Sequence, residues 1–160
     1  MSEALPDYYS RKPSVGPGGH RTILQQPCDR KNEENARQRL EAAWHCKIHP
    51  FGRWNELDWW AERDGKCASV LEYKRRSHSF GDFPDSFIPF HKWLALTLGE
   101  YGLRVPAILV LEFDDSLRYC LASEIAASRV MIRRTNHSLK LATNVEPVFR
   151  IPLDLLHEVK

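Results

Sequence analysis

The apolar run from Val105 to Phe113 constrains the fold of this chain more than any other feature. Its apolar residues follow one another without the regular polar alternation of a half-exposed strand. That pattern is typical of an internal strand that is covered on both faces. The predicted elements along the chain follow the order α-β-β-(β)-α-β-β, which indicates that helices pack on the faces of the sheet. The sequence therefore predicts an α/β domain in which a mixed β-sheet is flanked by helices.

Composition narrows the class of protein. A chain of 160 residues with 42% hydrophobic residues is long enough for one domain with a real core. No apolar run is long enough to span a bilayer, and the first residues lack the apolar stretch of a signal peptide. We therefore expect no membrane association and a location in the cytoplasm of a cell or of an infected host. The formal net charge is only +2, so contacts with an anionic partner would be local.

The chain divides into an arm and a domain. Prolines and glycines crowd residues 1–28, which predicts a flexible N-terminal arm, and residues 29–160 form the expected domain. A first helix follows the arm, capped by Asp29 or Asn32, and its apolar stripe includes Ala36 and Leu40.

Strand patterns follow the first helix. Alternating residues predict one strand from about Trp54 to Ala61 and a second from Cys67 to Lys74. The Arg63-Asp64-Gly65-Lys66 stretch between them is a hairpin signal. A second helix is expected from about Ser86 to Glu100, with Pro89 in its first turn, and its apolar residues surround the cylinder as in a well-buried helix. A further strand is expected at Leu117–Leu121.

Asp58, Glu72 and Lys74 are the residues in this pattern that can carry chemistry. Glu72 and Lys74 are two residues apart on one strand and so share a face, and a short hairpin can bring Asp58 beside them. Two close carboxylates repel each other unless a cation lies between them, and hard oxygen ligands suit Mg²⁺. A metal beside a lysine provides the parts that phosphodiester hydrolysis needs. The pattern therefore predicts a nuclease that uses Mg²⁺ or Mn²⁺.

These residues resemble a known signature. Asp58, thirteen intervening residues and then Glu72-Tyr73-Lys74 are similar to the D-x(n)-E-x-K motif of the PD-(D/E)xK nuclease superfamily. The stretch NELDWWAERDGKCASVLEYKRR resembles Holliday-junction-resolvase-like members, and FIPFHKWLAL and NVEPVFRIP resemble small phage-encoded ones. The resemblance covers roughly residues 30–152. One departure is that Leu57, rather than proline, precedes Asp58.

The resemblance implies both a fold and residue roles. The fold would be a restriction-endonuclease-like αβββαβ core. Asp58 and Glu72 would bind the metal together with the backbone carbonyl of Tyr73, and Lys74 would position or activate the attacking water. Glu33, followed by Ala36 and Leu40 at the family's spacing, would be a further catalytic residue, the helix glutamate. Its place in the first turn of a helix is also explained by the helix dipole alone, and Glu34 and Glu41 remain rivals.

Five basic residues are candidate DNA contacts, and each is equally explained as ordinary surface: Arg75, Arg76, Lys92, Arg133 and Arg134. The sequence thus predicts a metal-dependent deoxyribonuclease, with DNA as its partner and a homodimer if it is resolvase-like. The alternative is a nuclease-like fold that binds DNA or protein without cutting. The sequence leaves two questions open: whether the enzyme cuts at ends or at internal bonds, and whether it cuts DNA or RNA.

Overall fold

The computed structural model describes residues 27–52, 55–125, 130–135 and 144–160. The expected arm lies outside the described residues except at its end, because the first helix already begins at Pro27. Arg133 and Arg134 lie on a described strand, but their side chains are outside the described part.

The described part of the chain contains two α-helices and nine strands, besides two single turns of 3-10 helix at Ala122–Glu124 and Leu153–Leu155. In chain order the α-helices and strands are α1 (Pro27–Trp44), β1 (Lys47–Pro50), β2 (Trp59–Arg63), β3 (Lys66–Arg75), β4 (Asp85–Pro89), α2 (Phe90–Leu103), β5 (Ala107–Glu112), β6 (Leu117–Leu121), β7 (Val130–Thr135), β8 (Asn144–Pro152) and β9 (His157–Glu158). Neither helix is long and apolar enough to cross a membrane.

The main sheet has six strands in the order β1-β2-β3-β5-β6-β9. Only β3 and β5 run parallel, and the other neighbours are antiparallel. The predicted β2–β3 hairpin is present, with Asp64 and Gly65 at φ angles of 52° and 70°. Positive φ at both central residues is the geometry of a tight type I′ turn, which explains the Asp-Gly pair.

Strand β5 is internal, as its apolar run predicted, because β3 and β6 pair with its two edges. Two clusters of buried side chains cover its two faces. One, around Leu109 and Leu111, includes Leu96 of α2. The other, around Val110, includes Ala36 and Leu40 of α1. The mixed sheet between helices that the sequence predicted is therefore confirmed.

The predicted start of the second helix was wrong. Residues 85–89 form β4, which pairs with β8 in a separate three-stranded sheet of order β4-β8-β7, and α2 begins only at Phe90. Pro89 disfavours a helical Ile88, so the residues before the proline stay extended. Pro89 itself is the residue that precedes the helix rather than part of its first turn.

The burial expected for α2 was also wrong. Leu96 is its only fully buried residue, whereas Leu98 is 60% exposed and Tyr101 is 83% exposed. A helix whose apolar residues surround the cylinder can bury only the face that meets the sheet. The opposite face of α2 consequently presents apolar side chains to solvent.

Candidate active site

The side chains of β3 alternate between the face of the sheet covered by α1 and the face covered by α2. Leu71 and Tyr73 belong to the cluster that packs against α1. Val70, two residues before Glu72, belongs to the cluster on the α2 side. Because alternate strand residues share a face, Glu72 and Lys74 point toward α2.

Asp58 is the residue immediately before β2, which begins at Trp59. The antiparallel register pairs Trp59 with Leu71, so the next step places Asp58 beside Glu72. The Asp58 side chain takes the place of a backbone acceptor from a neighbouring strand: its Oδ2 accepts a hydrogen bond from the Tyr73 backbone N–H at 2.9 Å. The sequence pattern predicts a strand that begins at about Trp54 and includes Asp58. In the structure that strand, β2, begins only at Trp59, so Asp58 lies just before it. This position places the Asp58 carboxylate at the end of an internal strand, next to Glu72.

Glu72 is fully buried and lies between two lysines. The Nζ of Lys74 is 3.0 Å from Oε1, and the Nζ of Lys92 is 3.1 Å from Oε2. Lys92 donates a hydrogen bond to Oε2. Lys74 forms a close ion pair at an angle outside hydrogen-bond geometry, so Oε1 has no hydrogen-bond partner in the described part of the chain.

The charge state of Glu72 reflects this environment. Its pKa is raised to about 7, chiefly by burial and to a lesser degree by the neighbouring Asp58, whereas Lys74 and Lys92 act in the opposite direction. Burial outweighs the two ammonium groups because a carboxylate loses its hydration when it is enclosed. Because burial disfavours the ionised form of Glu72, an additional cation that reaches this carboxylate would stabilise its negative charge.

Tyr73 separates the site from the α1 side of the sheet. Its ring packs against that of Trp59 with centroids 5.1 Å apart, and its hydroxyl donates to Glu112. Burial and the Glu112 carboxylate raise the pKa of Tyr73, so its side chain stays a neutral hydrogen-bond donor. Its backbone carbonyl remains the predicted metal ligand.

The donor set fits a small divalent cation. Asp58 and Glu72 supply hard carboxylate oxygens, and Oε1 of Glu72 is a buried acceptor without a hydrogen bond. No group of three or more His, Cys, Asp or Glu side chains able to hold a metal occurs among the described residues. Mg²⁺ accepts such a site, because it binds through one or two carboxylates and keeps several waters.

Glu33 is half-buried on α1, the helix that packs on the Tyr73 side of the sheet. With Glu34, Arg37, Pro50 and Trp59 it lines a cavity of about 240 Å³. Its negative charge contributes to the raised pKa of Tyr73. A catalytic role for Glu33 stays a prediction.

The two rival glutamates have structural partners. Glu34 forms an exposed ion pair with Arg37 at 2.6 Å. Glu41 accepts the backbone N–H of Ile48 at 2.7 Å and thereby connects α1 to β1. These contacts explain both residues without catalysis.

Two of the predicted DNA contacts are held by the protein. Arg75 pairs with Asp114 at the surface. Arg76 donates to the Ser86 hydroxyl at 3.2 Å and to the Phe87 carbonyl, and its guanidinium lies over the Phe87 ring. Arg76 thus joins the end of β3 to β4. DNA contacts by either arginine stay predictions.

Sequence reasoning missed two partners of the site. The backbone carbonyl of Glu56 accepts a hydrogen bond from Lys92, and no sequence pattern marks a backbone acceptor. Glu112 accepts the Tyr73 hydroxyl. Glu112 did carry a signal, because it is the only charged residue in the run from Val105 to Phe113.

Comparisons with known proteins agree with this geometry. The family model described as "Phage putative PDDEXK endonuclease" matches residues 20–159. No curated protein sequence matches the chain. Among solved structures, the chain is similar to Hjc, a Holliday junction resolvase from the archaeal hyperthermophile Archaeoglobus fulgidus. The TM-score is 0.52 at 16% identity, over 81% of this chain and 92% of that one.

At 16% identity the likeness to Hjc shows the fold alone, and it confirms the predicted restriction-endonuclease-like core. The family model extends over nearly the whole sequence and includes Asp58, Glu72 and Lys74. The chain therefore belongs to the phage PDDEXK endonuclease family and is a PDDEXK-type nuclease.

Proposed function

We propose that this nuclease is a divalent-metal-dependent DNA endonuclease that hydrolyses phosphodiester bonds in branched DNA, with four-way junctions as its preferred substrate. The observation that carries the proposal is the group formed by Asp58, Glu72 and Lys74. In that group a buried carboxylate oxygen has no hydrogen bond within the described residues, and a lysine lies 3.0 Å away. Preference for branched DNA is supported by the similarity of fold to a Holliday junction resolvase.

The residues of the site would have separate roles in the reaction. Asp58, Glu72 and the Tyr73 carbonyl would hold Mg²⁺ or Mn²⁺, which when bound supplies charge neutralisation and activation of water. The Lys74 side chain is 32% exposed, so its ammonium can reach both Glu72 and solvent. It would hold the attacking water by a hydrogen bond and stabilise negative charge that develops on the phosphate oxygens. Glu33 lies on the α1 side of the sheet, beyond Tyr73, so it would act on the site through its negative charge rather than as a metal ligand in this arrangement.

Cleavage of a labelled four-way junction tests the proposal. With Mg²⁺ or Mn²⁺ we expect cleavage that EDTA abolishes, and losses of about 100-fold or more in Asp58→Asn, Glu72→Gln and Lys74→Met. Glu34→Gln is the matched control, because Glu34 is an exposed carboxylate of α1. Glu33→Gln, run in parallel, decides whether the helix glutamate takes part.

Cleavage rates on matched duplex, flap, single-stranded and RNA substrates, compared with the rate on the junction, identify the preferred nucleic acid. Full activity in Asp58→Asn and Glu72→Gln would remove this site from the chemistry. Metal-independent binding without cleavage of any substrate would favour the alternative, a nuclease fold that only binds. A phage nuclease acting on DNA would meet that substrate in the host cytoplasm.

We further propose that the protein acts as a homodimer formed through the exposed face of α2. Leu94, Leu98 and Tyr101 lie three or four residues apart and so form one apolar stripe. An antiparallel two-fold pairing would place Leu94 of one copy opposite Leu98 of the other. The same pairing brings the amino-terminal end of each helix near the carboxyl-terminal end of its partner, so the two helix dipoles are oppositely directed and attract each other.

DNA would then cross the face that carries the two sites. Arg75, Arg76, Arg133 and Arg134 would contact phosphates on that path. Replacing them should flatten the dependence of binding on salt concentration by about one unit of slope per lost phosphate contact.

A further inference from the structure

We infer that Lys92 is a positioning residue of the metal site: it fixes the Glu72 carboxylate so that Oε1 is the oxygen presented to the metal. The inference rests on the proposed function, and it assigns to Lys92 a role different from the DNA contact that the sequence predicted. It concerns the order of the site before any metal or DNA is bound.

The contacts of Lys92 are those of an enclosed side chain. Its Nζ donates to Oε2 of Glu72 at 3.1 Å and to the backbone carbonyl of Glu56. An ammonium group has three donors, so two of them are used within the protein. The side chain is only 16% exposed, half as much as that of Lys74. A lysine that served a phosphate in solvent would not need these two partners.

Lys92 connects the two segments that carry the metal ligands. Glu72 is on β3, and Glu56 lies two residues before Asp58 in the segment that leads into β2. One ammonium group bonded to both segments limits how far Asp58 and Glu72 can separate. This is the kind of support around a ligand that sets metal affinity.

The packing of α2 holds Lys92 in place. Gly99, two turns further along the helix, is so close to β3 that a Cβ there would be 3.1 Å from the Val70 Cγ2 and 3.3 Å from the Leu57 Cδ1. Leu57 immediately precedes Asp58 in the chain. The helix that carries Lys92 is therefore packed against both ligand-bearing segments.

The two oxygens of Glu72 have different surroundings. Oε2 is occupied by the Lys92 hydrogen bond, whereas Oε1 has no hydrogen bond within the described residues. Fixing one oxygen of a carboxylate fixes the direction of the other. Lys74, which is 3.0 Å from Oε1, is twice as exposed as Lys92 and can move toward solvent, so Oε1 is the oxygen that a metal can reach.

Positioning and simple electrostatics predict opposite results when Lys92 is removed. At a pH well above about 7, where Glu72 is ionised in both proteins, a positive charge near the metal site repels the metal, so its removal alone would tighten metal binding. Loss of a group that orders the ligands would weaken binding by about 10- to 100-fold. The sign of the change therefore tests the inference without any measurement of cleavage.

The experiment is calorimetric titration of the full chain with Mn²⁺ alone, without DNA, at a pH well above about 7 so that Glu72 is ionised in wild type and variant alike. Lys92→Met should bind Mn²⁺ about 10- to 100-fold more weakly than wild type. Lys92→Arg, which keeps both charge and donors, should recover part of that loss. Lys66→Met is the control, because Lys66 is exposed at the far end of the same strand as Glu72.

Each other outcome has a defined meaning. Unchanged or tighter Mn²⁺ binding by Lys92→Met would overturn the positioning role. A salt dependence of DNA binding that falls by about one unit in that variant would also overturn it, in favour of a phosphate contact. Absence of Mn²⁺ binding by wild type would instead contradict the proposed metal-dependent function.

A second variant keeps the test valid if Lys92→Met unfolds. Glu72→Gln combined with Lys92→Met removes the buried charge together with its partner. The double variant should melt at a higher temperature than Lys92→Met alone. If the second substitution gives no recovery, Lys92 does not act through Glu72.

Discussion

Glu72 is a fully buried carboxyl group between two ammonium groups, so its ionisation depends on whether burial or ion pairing is stronger. Burial is stronger, since the pKa of Glu72 is raised to about 7. In the unfolded chain the same group titrates near its ordinary value of 4.5. The difference makes the stability of the metal-free protein depend on pH.

The sign follows from the raised pKa of Glu72. The folded protein binds the proton more tightly than the unfolded chain, so the stabilisation is fully present below the unfolded value and is lost as pH rises toward about 7. In EDTA we therefore expect the free energy of unfolding to fall by roughly 3 kcal/mol between about pH 4.5 and about pH 7.5 from this group. Urea unfolding across that range measures it.

Glu72→Gln cannot ionise and should lack this part of the pH dependence. Glu158→Gln, with an exposed carboxylate in the native protein, is the control and should keep the wild-type profile. Parallel profiles for wild type and Glu72→Gln would show that Glu72 is not the group responsible.

At the scale of single residues, the sequence predicted that Asp58, Glu72 and Lys74 lie together, but it did not predict the other partners of Glu72. The spacing of Asp58, Glu72 and Lys74 was sufficient to predict the group, because strand alternation and one hairpin fix their proximity. The approach of Lys92 to Glu72 depends on how α2 packs over β3. Twenty residues separate these two, and no local pattern encodes that contact.

The element that aligns the site is α2, and Gly99 sets its distance from β3. A larger side chain at this position would collide with Val70 and Leu57, both in the buried cluster beneath the helix. Gly99→Val should therefore lower the free energy of unfolding by about 1–3 kcal/mol through overpacking. It should also weaken Mn²⁺ binding, because the helix carries Lys92.

Gly102→Ala is the matched control for that substitution. Gly102 is on the same helix, and a Cβ added there would meet no described atom within 4 Å. Alanine also favours helix over glycine by up to about 1 kcal/mol. Chemical unfolding of the two variants gives the comparison. Equal stability of Gly99→Val and wild type would mean that α2 can move away from β3 at little cost.

Elements fixed by local signals were predicted well. The Asp-Gly turn gave the β2–β3 hairpin, and β6 lies at the predicted Leu117–Leu121. Strand β4 was missed because its partner β8 lies about sixty residues further along the chain, and five residues before a helix resemble a helix start. Strand β1, with four residues, is too short to show a period.

At the scale of the whole molecule, the two described helices differ in what they cover. α1 supplies Ala36 and Leu40 to a buried cluster, whereas α2 leaves Leu94, Leu98 and Tyr101 in solvent. A single exposed leucine needs no explanation, but a continuous apolar stripe marks an interaction surface. Cutting both strands of a junction needs two sites, which a two-fold dimer through α2 would provide.

Leu98→Glu should convert the proposed dimer to a monomer, because two copies of the charge would face the apolar stripes in the proposed two-fold interface. Sedimentation velocity over a range of protein concentrations measures this, and we expect the dissociation constant to rise by about 100-fold or more, the effect of a buried unpaired charge. Arg39→Glu, on the exposed face of α1, is the control for an added surface charge and should remain dimeric.

The same variant separates assembly from chemistry. The monomer keeps Asp58, Glu72 and Lys74, so it should still nick a junction, but paired cuts within one binding event should disappear. A supercoiled plasmid with an extruded cruciform distinguishes the two, because paired cuts give linear product directly and single cuts give nicked circles. Wild type that is monomeric at every concentration, or Leu98→Glu that still dimerises, would exclude α2 as the interface.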